Sequence, residues 1–476
     1  MRLAFLFFTL FFVSVLRAQS DVWTLQRSVH YAIEHNISLQ QNVLNQRLAA
    51  LQLQQSKWSQ LPNLNAGVSV GRSYGRSVDP TTNQFVHGSY DFVGMTGSAD
   101  VLLFGWFQRR NTIQANKYNL EAAKANLDQL QNDISLNVAT GYLRALLAQE
   151  QVRVSAKQVD LSAAQLEQTR KFVDAGRLPE LNAAQLEAQL ANDSANLISN
   201  ISAYTSSILD IKALLNLDFQ TPFEIQAPEV NVGEQLSVYA MTPESIFQQA
   251  SQRFGSIKAS EWNLLAAQKR LRSAQAARYP QLGLNAQFGT NYATTFSEIT
   301  GGSLGQGTPS ELYYVQVDTL QVPVYQRTFN YTTRRIPFGS QLDNNFRQTV
   351  TATLNFPLFN AWQAQYNVRQ AKINLSSNEL NKYQAELKLR QDVYRAYNDA
   401  LNAIQKFKAT ERAVDAARRA YNFAQKRYVL GLTNTVEYLT SQNAQFVAEI
   451  NRLSAKYDLI FKLKVIDYYL NKELTL

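Results

Sequence analysis

Two short stretches of this chain decide how it is built. Gln60-Leu61-Pro62-Asn63-Leu64-Asn65-Ala66 is echoed by Tyr279-Pro280-Gln281-Leu282-Gly283-Leu284-Asn285-Ala286, with the prolines 218 positions apart. In both, the proline closes a helical stretch and an alternation of two begins. Leu64, Ala66, Val68 and Val70 interleave with Asn65, Gly67, Ser69 and Gly71, and Leu282, Leu284, Ala286 and Phe288 do the same. One apolar and one small-polar face is a strand signature. Leu103-Phe104 then returns as Leu358-Phe359, now 255 positions on, and that offset holds for Tyr142 and Tyr397, Gly176 and Gly431, and Leu215-Asn216 and Leu470-Asn471. The chain is therefore two copies of one unit, 22–217 and 242–472, joined by a segment at 218–241 that carries Pro222 and Pro228. A period this long is an internal duplication, not a solenoid. The change of offset places a 37-residue insertion in the second copy between Ala286 and Leu358. Its stretch Gly301-Gly302-Ser303-Leu304-Gly305-Gln306-Gly307 predicts a surface loop.

Each copy changes period in the same order. An amphipathic helix of roughly 29 residues ends before Pro62 or Pro280. A β-hairpin follows, at about 63–104 in the first copy and 281–358 in the second. The first turns at Asp79-Pro80-Thr81-Thr82-Asn83. Its return strand alternates Val93, Met95, Ala99, Val101 and Leu103 with Thr96, Ser98 and Asp100. The second returns with Val350, Ala352, Leu354 and Phe356 between Thr349, Thr351, Thr353 and Asn355. This suits a barrel strand between lipid and a wet lumen, and equally a soluble sheet with one solvated face. Long helices come next, at about 106–174 and 177–217, then 361–429 and 432–470. The stretch from Ala361 to Leu476 holds no proline and one glycine, Gly431; Trp106 to Asp174 holds no proline and one glycine, Gly141. A continuous helix over Trp106–Asp174 would span roughly 100 Å at 1.5 Å per residue. Gly176 and Gly431 stand where such helices must reverse.

Composition sets the class. The 476 residues include no cysteine, 46 Lys+Arg against 37 Asp+Glu, and a net charge of +9, with only 17% charged. Zero cysteine excludes a disulfide scaffold, a thiolate metal site and a thiol nucleophile. His30, His35 and His87 are the three histidines and lack a metal-ligand spacing. No P-loop, nucleophile elbow or zinc-protease motif is present, so no enzyme activity and no cofactor are expected. No clustered basic stripe points to nucleic acid. Residues 1–18, with the apolar run Leu3–Leu16, read as a cleavable export signal, whose loss of Arg2 and Arg17 leaves +7. No later segment approaches the roughly 18 apolar residues of a spanning helix. Four principal strands cannot close a membrane barrel, which needs at least about eight. An open edge in lipid costs several kcal/mol per unpaired group. The barrel must be shared, and dimer, trimer and tetramer all satisfy the count. Trp58, Trp106 and Trp362 near the strand–helix junctions fit interfacial anchors and core packing equally.

The most specific segment lies at the second reversal, Arg427-Tyr428-Val429-Leu430-Gly431-Leu432-Thr433-Asn434-Thr435-Val436-Glu437-Tyr438-Leu439. Its looser counterpart is Phe172-Val173-Asp174-Ala175-Gly176-Arg177-Leu178-Pro179-Glu180-Leu181-Asn182. With the leader and the duplicated helix–hairpin–long-helix unit, these resemble the TolC-like outer-membrane efflux proteins over essentially the whole mature chain. The resemblance implies a mainly α protein with a membrane β-barrel. It implies that this barrel is homotrimeric and 12-stranded, four strands per chain, and continuous with a periplasmic α-helical barrel. It implies a passive exit duct of a tripartite efflux or type I secretion system in the cell outer membrane. The partners would be outer-membrane lipid, a periplasmic adaptor protein and an inner-membrane pump. Glu437 matches a family position whose carboxylates line the closed periplasmic aperture; the second acidic position falls on Thr440 and a gate arginine on Thr433. Tyr428 matches a tyrosine that latches neighbouring coils, its partner position is Asn182, and Glu180 offers a substitute charge. The implied gate has one carboxylate ring and no arginine latch. Gly176, Arg177, Leu178, Gly431 and Leu432 are the expected reversal tips and adaptor-docking residues. A glutamate in a first helical turn is also favoured by the helix dipole alone. The alternative, a periplasmic coiled-coil adaptor or scaffold without a barrel, fits the helices but not strands set between helices twice over.

Overall fold

The computed structural model describes residues 22–78, 83, 85–226 and 241–470. The expected leader at 1–18, the turn residues 79–82, Pro228 with most of the joining segment, and Asn471 lie outside the described residues. The chain forms two compact units. One comprises Met1–Leu51, Asn116–Ala267 and Asn374–Leu476; the other Gln52–Ala115 and Gln268–Ile373. Both sequence copies contribute to both units, so the repeat boundary is not a spatial one.

In the helical unit, β1 (Val22–Trp23) pairs in parallel with β4 (Glu224–Ile225). Helices α1 (Leu25–His35) and α2 (Ile37–Trp58) follow β1; α5 (Pro243–Arg253) and α6 (Gly255–Ala276) open the second copy. The single opening helix expected in each copy is thus two helices. The breaks fall at Asn36 and Phe254, 218 positions apart and both extended. Asn36 breaks the run because its side chain accepts from Ser38 N (2.9 Å) and Leu39 N (3.3 Å), starting a new helix. Phe254 instead packs its half-buried ring against Tyr468 and Tyr469, at centroid distances of 5.4 and 5.7 Å. The adjoining Gly255 leaves no room for a Cβ, which would fall 2.5 Å from the Ala125 carbonyl oxygen. Thr24 and Thr242, again equivalent, cap α1 and α5 by accepting from Arg27 N and Ser245 N, each at 3.2 Å.

The long helices are α3 (Gln108–Asp174), α4 (Glu180–Leu215), α8 (Gln363–Val429) and α9 (Thr435–Tyr469). Each of α3 and α8 is entered through two consecutive left-handed residues, Trp106 and Phe107 (φ 49° and 63°) and Ala361 and Trp362 (φ 49° and 67°). Non-glycine residues take this conformation at a cost, so its recurrence marks a designed corner. The main core packs Trp23, Tyr142, Leu146, Ile211, Leu215 and Ile460. Tyr142 ties it to the small sheet: its hydroxyl lies 2.7 Å from Trp23 O and 2.8 Å from Gln226 O.

The second unit holds a four-stranded antiparallel sheet of β2 (Asn63–Val78), β3 (Phe85–Phe104), β5 (Gln281–Ala293) and β10 (Arg347–Asn355), in the order β10-β5-β3-β2. Partners directly opposite share a face. Leu64 lies opposite Ala99, Val68 opposite Met95, Ala99 opposite Ala286, and Leu284 opposite Ala352, so one apolar face runs across all four strands. It is bare, with Val70 77% and Val350 68% exposed. On the other face Asn65, Ser98, Gln287 and Thr349 follow one another across the strands, and Asn285 Nδ2 donates to Asp100 Oδ1 at 2.5 Å. Both outer strands, β2 and β10, have one unpaired edge.

The insertion is not the expected loop. It folds into β6 (Ser297–Leu304), β7 (Thr308–Val317), β8 (Leu320–Gln326) and β9 (Phe329–Arg335), paired β6 with β9 and β7 with β8, followed by the short helix α7 (Phe338–Asn344). Gly301 and Gly302 lie within β6; only residues 305–307 of the glycine-rich stretch leave the ladder. The alternation Val315, Val317, Val322, Val324 outweighs the glycines. Helix α7 then covers the upper edge of β5: Gln341 accepts from Ala293 N at 3.0 Å and Asn345 donates to Asn291 O at 2.7 Å. Consequently β10 pairs with β5 only as far as Gly289.

Candidate functional site

The expected gate residues cluster where α3 meets α4 and α8 meets α9. Both reversals use the same backbone device. Gly176 (φ 69°) donates to Val173 O and Arg177 N to Phe172 O, both at 2.8 Å. Gly431 (φ 72°) donates to Tyr428 O at 3.0 Å and Leu432 N to Arg427 O at 2.8 Å. These paired bonds satisfy the last carbonyls of each helix, and the left-handed residue requires glycine.

Beyond the glycine the two tips diverge. In the second, Asn434 caps α9 by accepting from Glu437 N at 2.8 Å. The Glu437 carboxylate accepts from Arg427 Nη1 at 3.2 Å and from the Thr433 hydroxyl, and all three side chains sit in one exposed group. Arg427 also donates to Leu432 O at 3.2 Å. Thr433 stands at the position matching the family's gate arginine, and the Glu437 carboxylate is paired instead with Arg427 of the same tip. Thr440 uses its hydroxyl locally, donating to Val436 O. In the first tip Pro179 precedes α4 without a side-chain cap, Glu180 is exposed in its first turn, and Arg177 stacks on Phe172 at 4.9 Å. Leu178 and Asn182 are half-buried.

Tyr428 turns inward. Its ring stacks on Tyr438 at 4.7 Å and 10°, and its hydroxyl lies 3.4 Å from Thr169 Oγ1 and 3.5 Å from Thr435 Oγ1. Asn182 is not among these partners. Tyr438 is buried, its hydroxyl 3.4 Å from that of Tyr421 and hydrogen-bonded by the Gln165 amide. Burial first, and then the bond to Tyr421, pushes the Tyr438 hydroxyl far above the usual tyrosine range.

The larger surprise is the seam behind these residues. Ser155, Gln158, Ser162, Gln165 and Thr169 step along α3 by 3 and 4, the coiled-coil rhythm, yet all are polar. Ser162 donates to the buried Asp193 of α4 at 2.5 Å, Gln189 at 2.9 Å and Gln158 at 3.3 Å. Asn200 donates to Ser155 at 2.6 Å. Gln442, 2% exposed, has no hydrogen-bond partner for either amide atom, and Gln165 Oε1 has none. The spacing was visible in the sequence, but polar residues do not register as a hydrophobic seam. A seam made of hydrogen bonds fixes register while leaving little apolar burial to hold it shut. No helix among the described residues is long and apolar enough to cross a membrane, and no group of three or more candidate metal ligands occurs among them.

Comparison with known proteins assigns this architecture. The sequence profile described as outer membrane efflux protein matches residues 29–217 and 246–464, one block in each copy. The chain belongs to the outer membrane efflux protein family. The outer membrane protein OprJ of Pseudomonas aeruginosa is 24% identical over 436 residues, 90% of this chain and 79% of that protein. The toxin and drug export protein A of Aggregatibacter actinomycetemcomitans is 19% identical over 402 residues, 83% and 77% of the two chains. The solved outer membrane protein VceC of Vibrio cholerae shares the fold, with a TM-score of 0.73 at 16% identity, covering 94% of each chain. The protein is thus an outer-membrane efflux channel, spanning that membrane and reaching into the periplasm, and its strand–helix duplication is the family's.

Proposed function

We propose that three copies of this efflux protein form one exit duct, a 12-stranded barrel leading into a helical tunnel, that works with a periplasmic adaptor and an inner-membrane pump. The observation that carries the assembly is the sheet: four strands, two open edges and a bare apolar face. Because β2 and β10 run antiparallel to each other across the sheet order, the β2 edge of one copy can continue onto the β10 edge of the next. The helices that join these edge strands support the same closure. On α2, Ile37, Leu44, Leu51 and Trp58 are exposed at strict sevens. On α8, Tyr366, Ile373, Leu380, Leu387 and Tyr394 do the same. Two exposed heptad stripes on the edge helices fit a coiled-coil contact between neighbouring copies.

Within this duct, Glu437, Tyr428, Thr433, Thr440, Asn182 and Glu180 form the periplasmic aperture. The reversal tips at Gly176, Arg177, Leu178, Gly431 and Leu432 face the adaptor. Three Glu437–Arg427 pairs would then ring the opening as dipoles rather than bare carboxylates. Energy comes from the pump, and the cargo is small molecules or proteins delivered by it. The decisive experiment is purification in detergent with measurement of mass by light scattering and of conductance in planar bilayers. A trimer with discrete channels is expected; a monomer without conductance overturns the reading.

A further inference from the structure

One cavity lies apart from the aperture, at the foot of the sheet. A β-bulge between Leu102 and Phe104 puts Phe104 opposite Leu282, on the apolar face. From there an aromatic ledge continues: Phe104 to Trp106 at 5.5 Å, Trp106 to Tyr279 at 5.0 Å, Phe104 to Phe107 at 6.0 Å. Below it opens a cavity of about 680 Å³, walled by Trp106, Phe107, Tyr279, Asn111, Arg272 and Arg278. The start of α3 and the end of α6 are fixed around it by Thr112 Oγ1 to Ser273 Oγ (3.0 Å), Ser273 Oγ to Gln108 O (3.3 Å) and Gln281 Nε2 to Gln108 Oε1 (3.1 Å). Neither Arg272 nor Arg278 has an ion-pair partner among the described residues.

We infer that this cavity binds the phosphodiester headgroup of a phospholipid in the periplasmic leaflet of the outer membrane, its acyl chains lying on the apolar face above. The inference rests on that face meeting lipid. Aromatic residues belong at the headgroup level of a bilayer, and guanidinium groups bind phosphate oxygens through paired donors. Asn111 adds an uncharged donor. The duplication supplies an internal control: 218 positions earlier, Arg272, Arg278 and Tyr279 are Gln54, Gln60 and Leu61. The first copy places its cation and ring differently, as Lys57 and Trp58 where the second has Gln275 and Ala276, so the paired guanidinium groups beside Tyr279 are not demanded by the fold. The two arginines at these positions occur in the second copy only.

The test uses the full chain, purified in detergent, delipidated and titrated with phosphatidylglycerol while native mass spectrometry counts bound lipid. One retained lipid per chain is expected. The R272Q/R278Q variant, which takes the residues of the sister copy, should bind roughly tenfold more weakly, as loss of charge-assisted bonds predicts. Lipid retention equal to the parent overturns the site. Y279L is the second variant, expected to weaken binding while leaving both charges, should the double variant misfold. Inorganic phosphate at matching concentration should not displace the lipid; equal displacement would mean a free-anion site and overturn the lipid assignment. Conductance of the parent protein is read separately, so a failed channel reading and a failed lipid site give different results.

Discussion

The two helix reversals share a backbone and differ in nearly everything attached to it. Gly176 and Gly431 have φ values of 69° and 72°, and the closing hydrogen bonds match pair by pair. Yet at equivalent positions 255 residues apart Leu166 corresponds to Tyr421, Val173 to Tyr428, Ala183 to Tyr438, Pro179 to Asn434 and Asn182 to Glu437. The first tip has no side-chain cap and one ring, Phe172 under Arg177; the second is capped by Asn434 and packs Tyr421, Tyr428 and Tyr438 together. Duplication has kept the punctuation that reverses a helix and released the side chains to specialise. The aromatic and capping side chains therefore sit mainly at the second reversal, while both reversals share the same backbone turn.

The sharpest way to break this contrast is Tyr438→Ala. Removing a buried ring that stacks on Tyr428 and meets Tyr421 should cost about 3–5 kcal/mol of local stability. At the matching position Ala183→Gly should cost only about 1 kcal/mol. Hydrogen exchange at the two tips measures both, and comparable losses would end the idea of a specialised second tip. Next in size, Gly431→Ala and Gly176→Ala should each cost about 1–2 kcal/mol, because a Cβ at either meets no atom within 4 Å and only the left-handed backbone is penalised. Here the expectation is equality; a clear difference would mean the backbones are not under the same constraint. Asn434→Ala should cost about 1 kcal/mol and Pro179→Ala less, since only Asn434 accepts a capping bond.

Alkali separates the tips in another way. An unfolded tyrosine ionises near pH 10, but Tyr438 in the fold holds its proton well above that. Its contribution is complete below about pH 10 and is lost as the pH rises further, because the unfolded chain then releases a proton that the folded chain retains. Exchange at 427–440 should accelerate above about pH 10 while 172–183 lags. Parallel acceleration of both would assign the effect to the whole helical unit.

How far the sequence disclosed this molecule follows from what its signals measure. Periodicity exposed the long helices and the four principal strands, because repeated apolar spacing is what it detects, and motifs echoed at fixed offsets exposed the duplication. It missed the breaks at Asn36 and Phe254, where one side chain caps its own helix and another is drawn into a distant aromatic contact. It read glycines in the insertion as loop, whereas Gly302 sits under the Phe329 ring inside a strand. Arg427 was in the quoted tip motif, yet its pairing with Glu437 depends on a turn geometry that brings residues ten apart together. The polar seam of α3 escaped for a different reason: its spacing is that of a core and its composition that of a surface.

The smallest expected effect on stability is Glu437→Gln, and it carries the most about function. The Glu437–Arg427 pair is about half exposed on both sides, so its loss should cost under about 1 kcal/mol, and Asn434 still caps α9 through the unchanged backbone at 437. If Glu437 lines the aperture, the variant should bind cationic blockers more weakly, as measured by block of single-channel current. Arg427→Gln then separates pore from scaffold. Freeing the Glu437 carboxylate from its guanidinium partner should strengthen cationic block, opposite in sign to Glu437→Gln, although both variants break the same pair. A purely structural pair would move both in the same direction or neither. Opposite shifts require that the channel's ions sense the carboxylate itself.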